Sequence, residues 1–174
     1  MSTDRVRAHL LADDGRIPNS RLPLLIYPGA FPMSDPDLPG VIEARLRHNG
    51  WEDGWRNGIY PYHHYHSTAH EVLAVYVGSA RVQFGGENGI IADVSSGDVV
   101  VIPAGVGHKN LGASAGFRVI GAYPRGQAWD MCYGKPGERP RADENIARVP
   151  VPIADPVFGG AGPLLTSWRL VVEI

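Results

Sequence analysis

Apolar residues along this chain come in short, often β-branched bursts separated by glycine, proline and small polar residues. That pattern predicts many short strands joined by tight turns. Tyr60–His66, Glu71–Val77, Arg81–Phe84, Ile90–Val94, Val99–Ile102 and Phe117–Tyr123 read as strands, with turn chemistry at Gly85–Gly89 and Ser95–Gly97. Leu22–Tyr27 is apolar around a central proline and reads as an edge strand, since proline cannot donate to a ladder. Pro36–His48 is the one clear helix: Leu38, Val41, Ile42 and Leu46 follow helical spacing, and Asn49-Gly50 supplies a left-handed stop. Trp51–Asn57 reads as an aromatic, charged connection, and residues 1–20 as a loose arm or edge extension. Residues 124–165 are rich in proline and glycine, with a short helix expected near Ala142–Ala147, and Leu164–Ile174 reads as a last strand. No internal repeat is present. The fold class expected is all-β, a sandwich or jelly roll, with one N-terminal helix and an irregular C-terminal extension.

Length and composition narrow the picture. A chain of 174 residues suits one domain, 1–174. A net charge of −2 leaves no basic footprint, so nucleic acid is not expected as a partner. The single cysteine, Cys132, excludes an internal disulfide and fits a reducing, cytoplasmic setting. The apolar stretch Leu10-Leu11-Ala12 is too short for a signal-peptide core, and no stretch approaches the roughly 18 apolar residues of a membrane span.

Candidate chemistry concentrates in Gly58–Glu71 and Gly97–His108. Side chains alternate faces on a strand, so His64 and His66 point the same way, about 6.5–7 Å apart at their roots, and their imidazoles can meet at one point. His108 follows Pro103-Ala-Gly105, a turn that swings it back. Three imidazoles with one carboxylate would suit Zn, Fe, Ni, Cu or Mn. Glu71, five residues beyond His66, would face away on one continuous strand, so it joins the site only if Ser67–His70 form a turn; His70 is the rival ligand at that turn. By the same parity Tyr60 and Tyr62 point inward as pocket walls or hydrogen-bond donors, with Tyr60 or His70 as candidates to move a proton. With Glu71 inward, Leu73, Val75 and Val77 supply apolar walls. Tyr123, Trp129 and Tyr133 read as packing or a dimer contact ahead of a lid.

These segments resemble the two motifs of the cupin superfamily. The first, G-x5-H-x-H-x3/4-E-x6-G, is matched by Gly58, His64, His66, Glu71 and Gly78. The second, G-x5-P-x-G-x2-H-x3-N, is matched by Gly97, Pro103, Gly105 and His108, with Gly112 where asparagine is expected and Asn110 two residues early. The motifs span 58–112, and the chain is most similar to small bacterial single-domain cupins. The resemblance implies a double-stranded β-helix barrel, the turn that brings in Glu71, and one divalent transition metal (Fe, Mn, Ni or Zn) held by His64, His66, Glu71 and His108. It implies a small-molecule ligand, and a homodimer in which residues 1–35 and 124–174 pack on the barrel. The activities it suggests are an iron(II) dioxygenase or a metal-assisted isomerase. The alternative is a non-catalytic binder of a metal or small ligand.

Overall fold

The computed structural model describes residues 3–172. After a short 3-10 turn at Thr3–Arg5, the elements in order are β1 (Arg7–Leu11), β2 (Ser20–Tyr27), α1 (Leu38–His48), β3 (Trp51–Asn57), β4 (Glu71–Val77), β5 (Ser79–Phe84), β6 (Ile90–Ser95), β7 (Val99–Ile102), β8 (His108–Ala113), β9 (Arg118–Pro124), α2 (Arg141–Arg148) and α3 (Pro163–Val172). A six-stranded sheet, ordered β1-β2-β7-β4-β9-β3, lies over a three-stranded sheet, β6-β5-β8, and every pairing is antiparallel. This is the expected jelly roll.

Strand alternation divides the large sheet into two faces. Leu24, Ile26, Leu73, Val75, Val100, Ile102 and Val119 point toward Ala80, Val82 and Phe84 of β5 and fill the barrel. Their neighbours Leu25, Tyr27, Val72, Ala74, Val99, Val101, Ile120 and Ala122 point the other way and bury Ile42 and Leu46 of α1 with Leu164, Leu165 and Trp168 of α3. The central strands β4 and β7 are buried on both sides, which explains their largely apolar runs without polar alternation.

The helix predicted over 36–48 begins at Leu38. Asp37 caps it by accepting from the Gly40 N–H at 3.2 Å, and Leu38, Ile42 and Leu46 form its buried stripe. The strands predicted from Glu71 to Tyr123 are present within a residue or two of their expected ends. Four expectations change. Residues 22–27 do not form an edge: β2 is flanked by β1 and β7, and Pro23 is accommodated because the β1 register shifts between His9 and Leu11, leaving it outside both ladders. Trp51–Asn57 is a strand, not a connection. Tyr60–His66 is not a strand; only His64 and Tyr65 make isolated bridges, to His108 and Cys132. In the C-terminal extension α2 stands where a short helix is expected, but residues 163–172 form a helix rather than a last strand, with residues 173–174 outside the described part. None of the helices described is long and apolar enough to cross a membrane.

One buried acid ties the C-terminal segment to the large sheet. Asp155 is fully buried and accepts from the Tyr27 hydroxyl at 2.7 Å and from the backbone N–H groups of Val157, Phe158 and Leu164 at 2.8, 2.9 and 3.0 Å. Trp168 donates its indole N–H to the Pro23 carbonyl at 2.9 Å. Asp155→Ala strands several buried donors at once and should cost about 3 kcal/mol or more. Tyr27→Phe, which spares the backbone donors, should cost about 1–2 kcal/mol. Urea denaturation of the two variants checks the order.

Candidate functional site

The site is built where β4, the Gly58–His66 segment and the start of β8 meet. His64 and His108 face each other across an antiparallel bridge, His64 N–H to His108 O at 3.3 Å and His108 N–H to His64 O at 3.0 Å, which places their ring centroids 4.1 Å apart. The turn ahead of β8 depends on Gly105. Its φ is +91°, its N–H donates to the His66 carbonyl at 2.8 Å, and a Cβ there would stand 2.2 Å from the Asn19 carbonyl oxygen. Glu71 opens β4 with the parity of Leu73 and Val75, so it points into the barrel. The turn needed to bring Glu71 beside the histidines is therefore present, and His64, His66, Glu71 and His108 converge on one cavity.

The rings are held by backbone carbonyls. Nδ1 of His64 meets the Tyr62 carbonyl at 3.2 Å, Nδ1 of His66 the Asp130 carbonyl, and Nδ1 of His108 the Val106 carbonyl at 3.5 Å. A carbonyl oxygen only accepts, so each Nδ1 carries the proton and each Nε2 presents a lone pair. Two of those nitrogens face the same carboxylate oxygen: Glu71 Oε2 lies 3.5 Å from His66 Nε2 and 3.3 Å from His108 Nε2. Glu71 is 2% exposed, and Oε2 has no hydrogen-bond donor. Acceptors thus face an acceptor out of water, an arrangement that calls for a positive charge between them, a proton on an imidazole or a metal ion. Among the described residues no three acid, histidine or cysteine side chains already stand in metal-ion geometry. Burial alone would raise the Glu71 carboxyl pKa, but the facing His66 and His108 rings outweigh it and the pKa is lowered. Burial disfavours the imidazolium of His66 too, but Glu71 outweighs it and the pKa is raised. Burial and the nearby His108 hold His64 down to about 3, so it is neutral at pH 7.

The second oxygen of Glu71 has its own donor. The Tyr123 hydroxyl donates to Oε1 at 3.2 Å and accepts the Trp55 indole N–H at 3.0 Å. Trp55 reaches the cavity because β3 carries a bulge: Asp53 adopts φ +53°, and the pairing with β9 slips between Glu52 and Trp55. Trp51 and Trp55 would share a face on a regular strand. With the bulge, Trp51 packs under the helices and Trp55 turns into the barrel. Its ring lies across Gly121, where a Cβ would sit 2.1 Å from Trp55 Cζ2. Asp130, besides its carbonyl, accepts through its carboxylate from Ser67 N–H and Oγ–H and from Thr68 N–H, pinning the turn between His66 and Glu71.

The remaining expected site residues divide. Tyr60 lines the cavity, edge-on to His64 with centroids 5.2 Å apart. Tyr62 stacks on Tyr60 at 5.0 Å but borders a neighbouring cavity with His63 and Tyr133. Val77 is largely exposed at the end of β4. His70 is turned away: adjacent to Glu71 on alternating backbone, it faces α3, where its ring lies 4.7 Å from Trp168 and its Nδ1 accepts the Ala104 N–H at 2.9 Å. It is neither a rival ligand nor near the cavity. Tyr123 and Trp129, expected to pack or to contact a second subunit, line the cavity instead, stacked on each other at 5.9 Å. Trp55 and Asp130 were not among the expected site residues, and the spacing of the motifs carries no signal for either.

Comparison with known proteins identifies the family. The family profile described as Cupin matches residues 55–121. The uncharacterized protein YjlB of Bacillus subtilis (strain 168) is 45% identical over 163 residues, covering 93% of this chain and 96% of its own. The chain belongs to the cupin family. Among solved structures, the cupin is similar to acireductone dioxygenase from Bacillus anthracis with a cadmium ion in its active center, at 14% identity, TM-score 0.45, 63% of this chain and 83% of that one. It is also similar to an 11S globulin from Wrightia tinctoria, at 21% identity and TM-score 0.37, over 46% of this chain; it spans only 22% of that globulin.

Two outcomes follow from the side-chain environments. Gly121→Ala should displace the Trp55 ring, cost about 1–3 kcal/mol as overpacking, and shift tryptophan emission of the native protein. His64 and His70 are both held to about 3 by burial, whereas in the unfolded chain they protonate near 6.5. A depressed histidine pKa means that the unfolded state binds more protons between those values, so stability falls as pH drops from about 6.5 toward 3. His70→Gln, which keeps an acceptor for Ala104, should flatten that acid limb by about one proton in denaturant titrations of chelator-treated protein at pH 4–7.

Proposed function

We propose that this cupin is a metal-dependent protein acting on a small organic molecule, with one divalent transition ion held by His64, His66, Glu71 and His108. The observation that carries the reading is the unsatisfied Glu71 Oε2, faced by Nε2 lone pairs that their Nδ1 partners have fixed in place. The donor set fits such an ion: three neutral imidazole nitrogens and a carboxylate suit a borderline cation, and the carbonyl partners orient the rings as second-shell groups do in metal sites. A bound ion would supply Lewis acidity toward a ligand oxygen and, if redox-active, one-electron chemistry with O2.

The chain's own groups have separate tasks. Tyr123 holds its proton on Oη: burial and the adjacent Glu71 charge both oppose ionisation of the phenol. It can therefore orient Glu71 and donate toward a ligand oxygen, while Trp55 keeps it in place. Tyr60 and Trp129 wall the opening and limit water. The cavity of about 280 Å3 is at the small end for organic ligands. We favour an enzyme over a structural metal protein because the four donors open onto this cavity instead of closing on one another.

Elemental analysis of purified protein tests the reading. About one equivalent of a transition metal is expected in the native protein and little in His64→Ala/His108→Ala. Iron would direct the next assay to oxygen uptake with candidate substrates, and Zn, Ni or Mn to isomerase and hydrolase substrates. Absence of metal in the native protein even after reconstitution would sink the proposal.

A further inference from the structure

The cavity that lies over the four donors is lined by Trp55, Tyr60, Leu73, Tyr123, Trp129 and Met131. The polar atoms nearest the four donors are committed. The three Nδ1 positions are bound to carbonyls, and the Tyr123 hydroxyl both donates and accepts. One cationic side chain, Arg56, borders the cavity, and it is held outside. Its guanidinium makes two hydrogen bonds to Glu43, at 2.6 and 2.9 Å, and lies 5.8 Å from the Tyr76 ring centroid. A carboxylate or phosphate on the side of a ligand away from the four donors would therefore enter an apolar cup whose one bordering cation, Arg56, is already paired with Glu43. An aromatic ring meets complementary surfaces instead. Tyr60 stands edge-on to His64, while Trp129 packs against His66 at 5.6 Å and is half exposed at the opening.

We infer that the ligand is a small, uncharged aromatic molecule whose one or two oxygen donors point at the four-residue centre and whose ring lies against Trp129, with no anionic group on the side away from those donors. The inference rests on the metal reading for the fate of the oxygen donors, but the selectivity for a neutral ring resides in the walls.

The test compares three probes that share a pair of adjacent hydroxyls: catechol, 3,4-dihydroxybenzoate and 3,4-dihydroxybenzamide. The acid and the amide have the same size and shape and differ in charge. Each is titrated into chelator-stripped and Co(II)-loaded protein, followed by quenching of tryptophan emission and by the visible Co(II) spectrum. Trp55 and Trp129 report from the cavity, whereas Trp51 and Trp168 are buried elsewhere. Catechol and the amide should bind the loaded protein with comparable affinity, and the acid at least about tenfold more weakly. Trp129→Ala should weaken the amide about 3–10-fold. An acid that binds as tightly as the amide, or a Trp129→Ala variant with unaltered affinity, overturns the inference. If Co(II) does not bind while the amide still outbinds the acid in the stripped protein, the metal reading fails and this one survives. If Co(II) binds and no probe perturbs either signal, the reverse holds.

Discussion

Removing a carboxylate from water costs several kcal/mol unless donors or cations replace the lost hydration. Glu71 is in that position, with 2% of its surface exposed and one oxygen supplied by Tyr123 while the other faces lone pairs. The arrangement is stable only with positive charge among the Nε2 atoms. A proton on His66 would meet the need without a metal, and the facing Glu71 raises the pKa of that ring against the effect of burial. The divalent ion proposed above would meet it more completely, because it would engage all four donors together. On the proposed reading, protons and a metal ion would compete for the same place among the Nε2 atoms, and metal affinity would depend on pH.

This need for positive charge constrains the surrounding chain. Glu71 must face inward, which fixes the parity of β4 and sends His70 to the opposite face, against Trp168. The histidine rings must keep their lone pairs inward, which requires a carbonyl behind each Nδ1. Those carbonyls come from three separate places: Tyr62 two residues before His64, Val106 two residues before His108, and Asp130 from the C-terminal segment. The last is held in register by the reciprocal Tyr65–Cys132 bridge, with both N–H to O distances 2.9 Å. Tyr65 is thus the outward partner of an inward pair. Its ring is fully buried beneath the C-terminal segment, and its hydroxyl donates to Glu138 at 3.0 Å.

Much of this was legible in the sequence where a residue acts through its side chain and a regular period. The β4 and β7 runs are buried on both faces and read as strands without ambiguity. His64, His66 and His108 carry imidazoles at telling intervals. Legibility failed where the backbone breaks its period. The bulge at Asp53–Gly54 moves Trp55 to the face opposite Trp51, so β3 shows no alternation and resembles a loop. Tyr60–His66 alternates well enough to look like a strand, but it makes only two isolated bridges; the parity of the histidines survives because the backbone is locally extended there. In α3, Leu164, Leu165 and Trp168 share one buried face at helical spacing, while the apolar run that continues beyond them reads equally well as a strand. Asp130 could not be found at all, since its contribution to His66 is a carbonyl that every residue possesses.

The division between β4 and the loops around it separates two properties of the site. The donors stand on or beside paired backbone in the barrel, where a displaced side chain would disturb two packed faces at once. The aromatic rings that bound the cavity have a different origin: Tyr60 lies in the irregular segment before the bridges, and Trp129 in the connection after β9, half exposed. Substitutions at those two positions would leave the four donors in place but change the rings set against His64 and His66, in keeping with a rigid scaffold whose loops bound the opening. Tyr123 joins the two sets. It belongs to β9 and holds Glu71, yet its ring stacks on Trp129. Displacement of Trp129 would therefore press on the residue that orients the carboxylate.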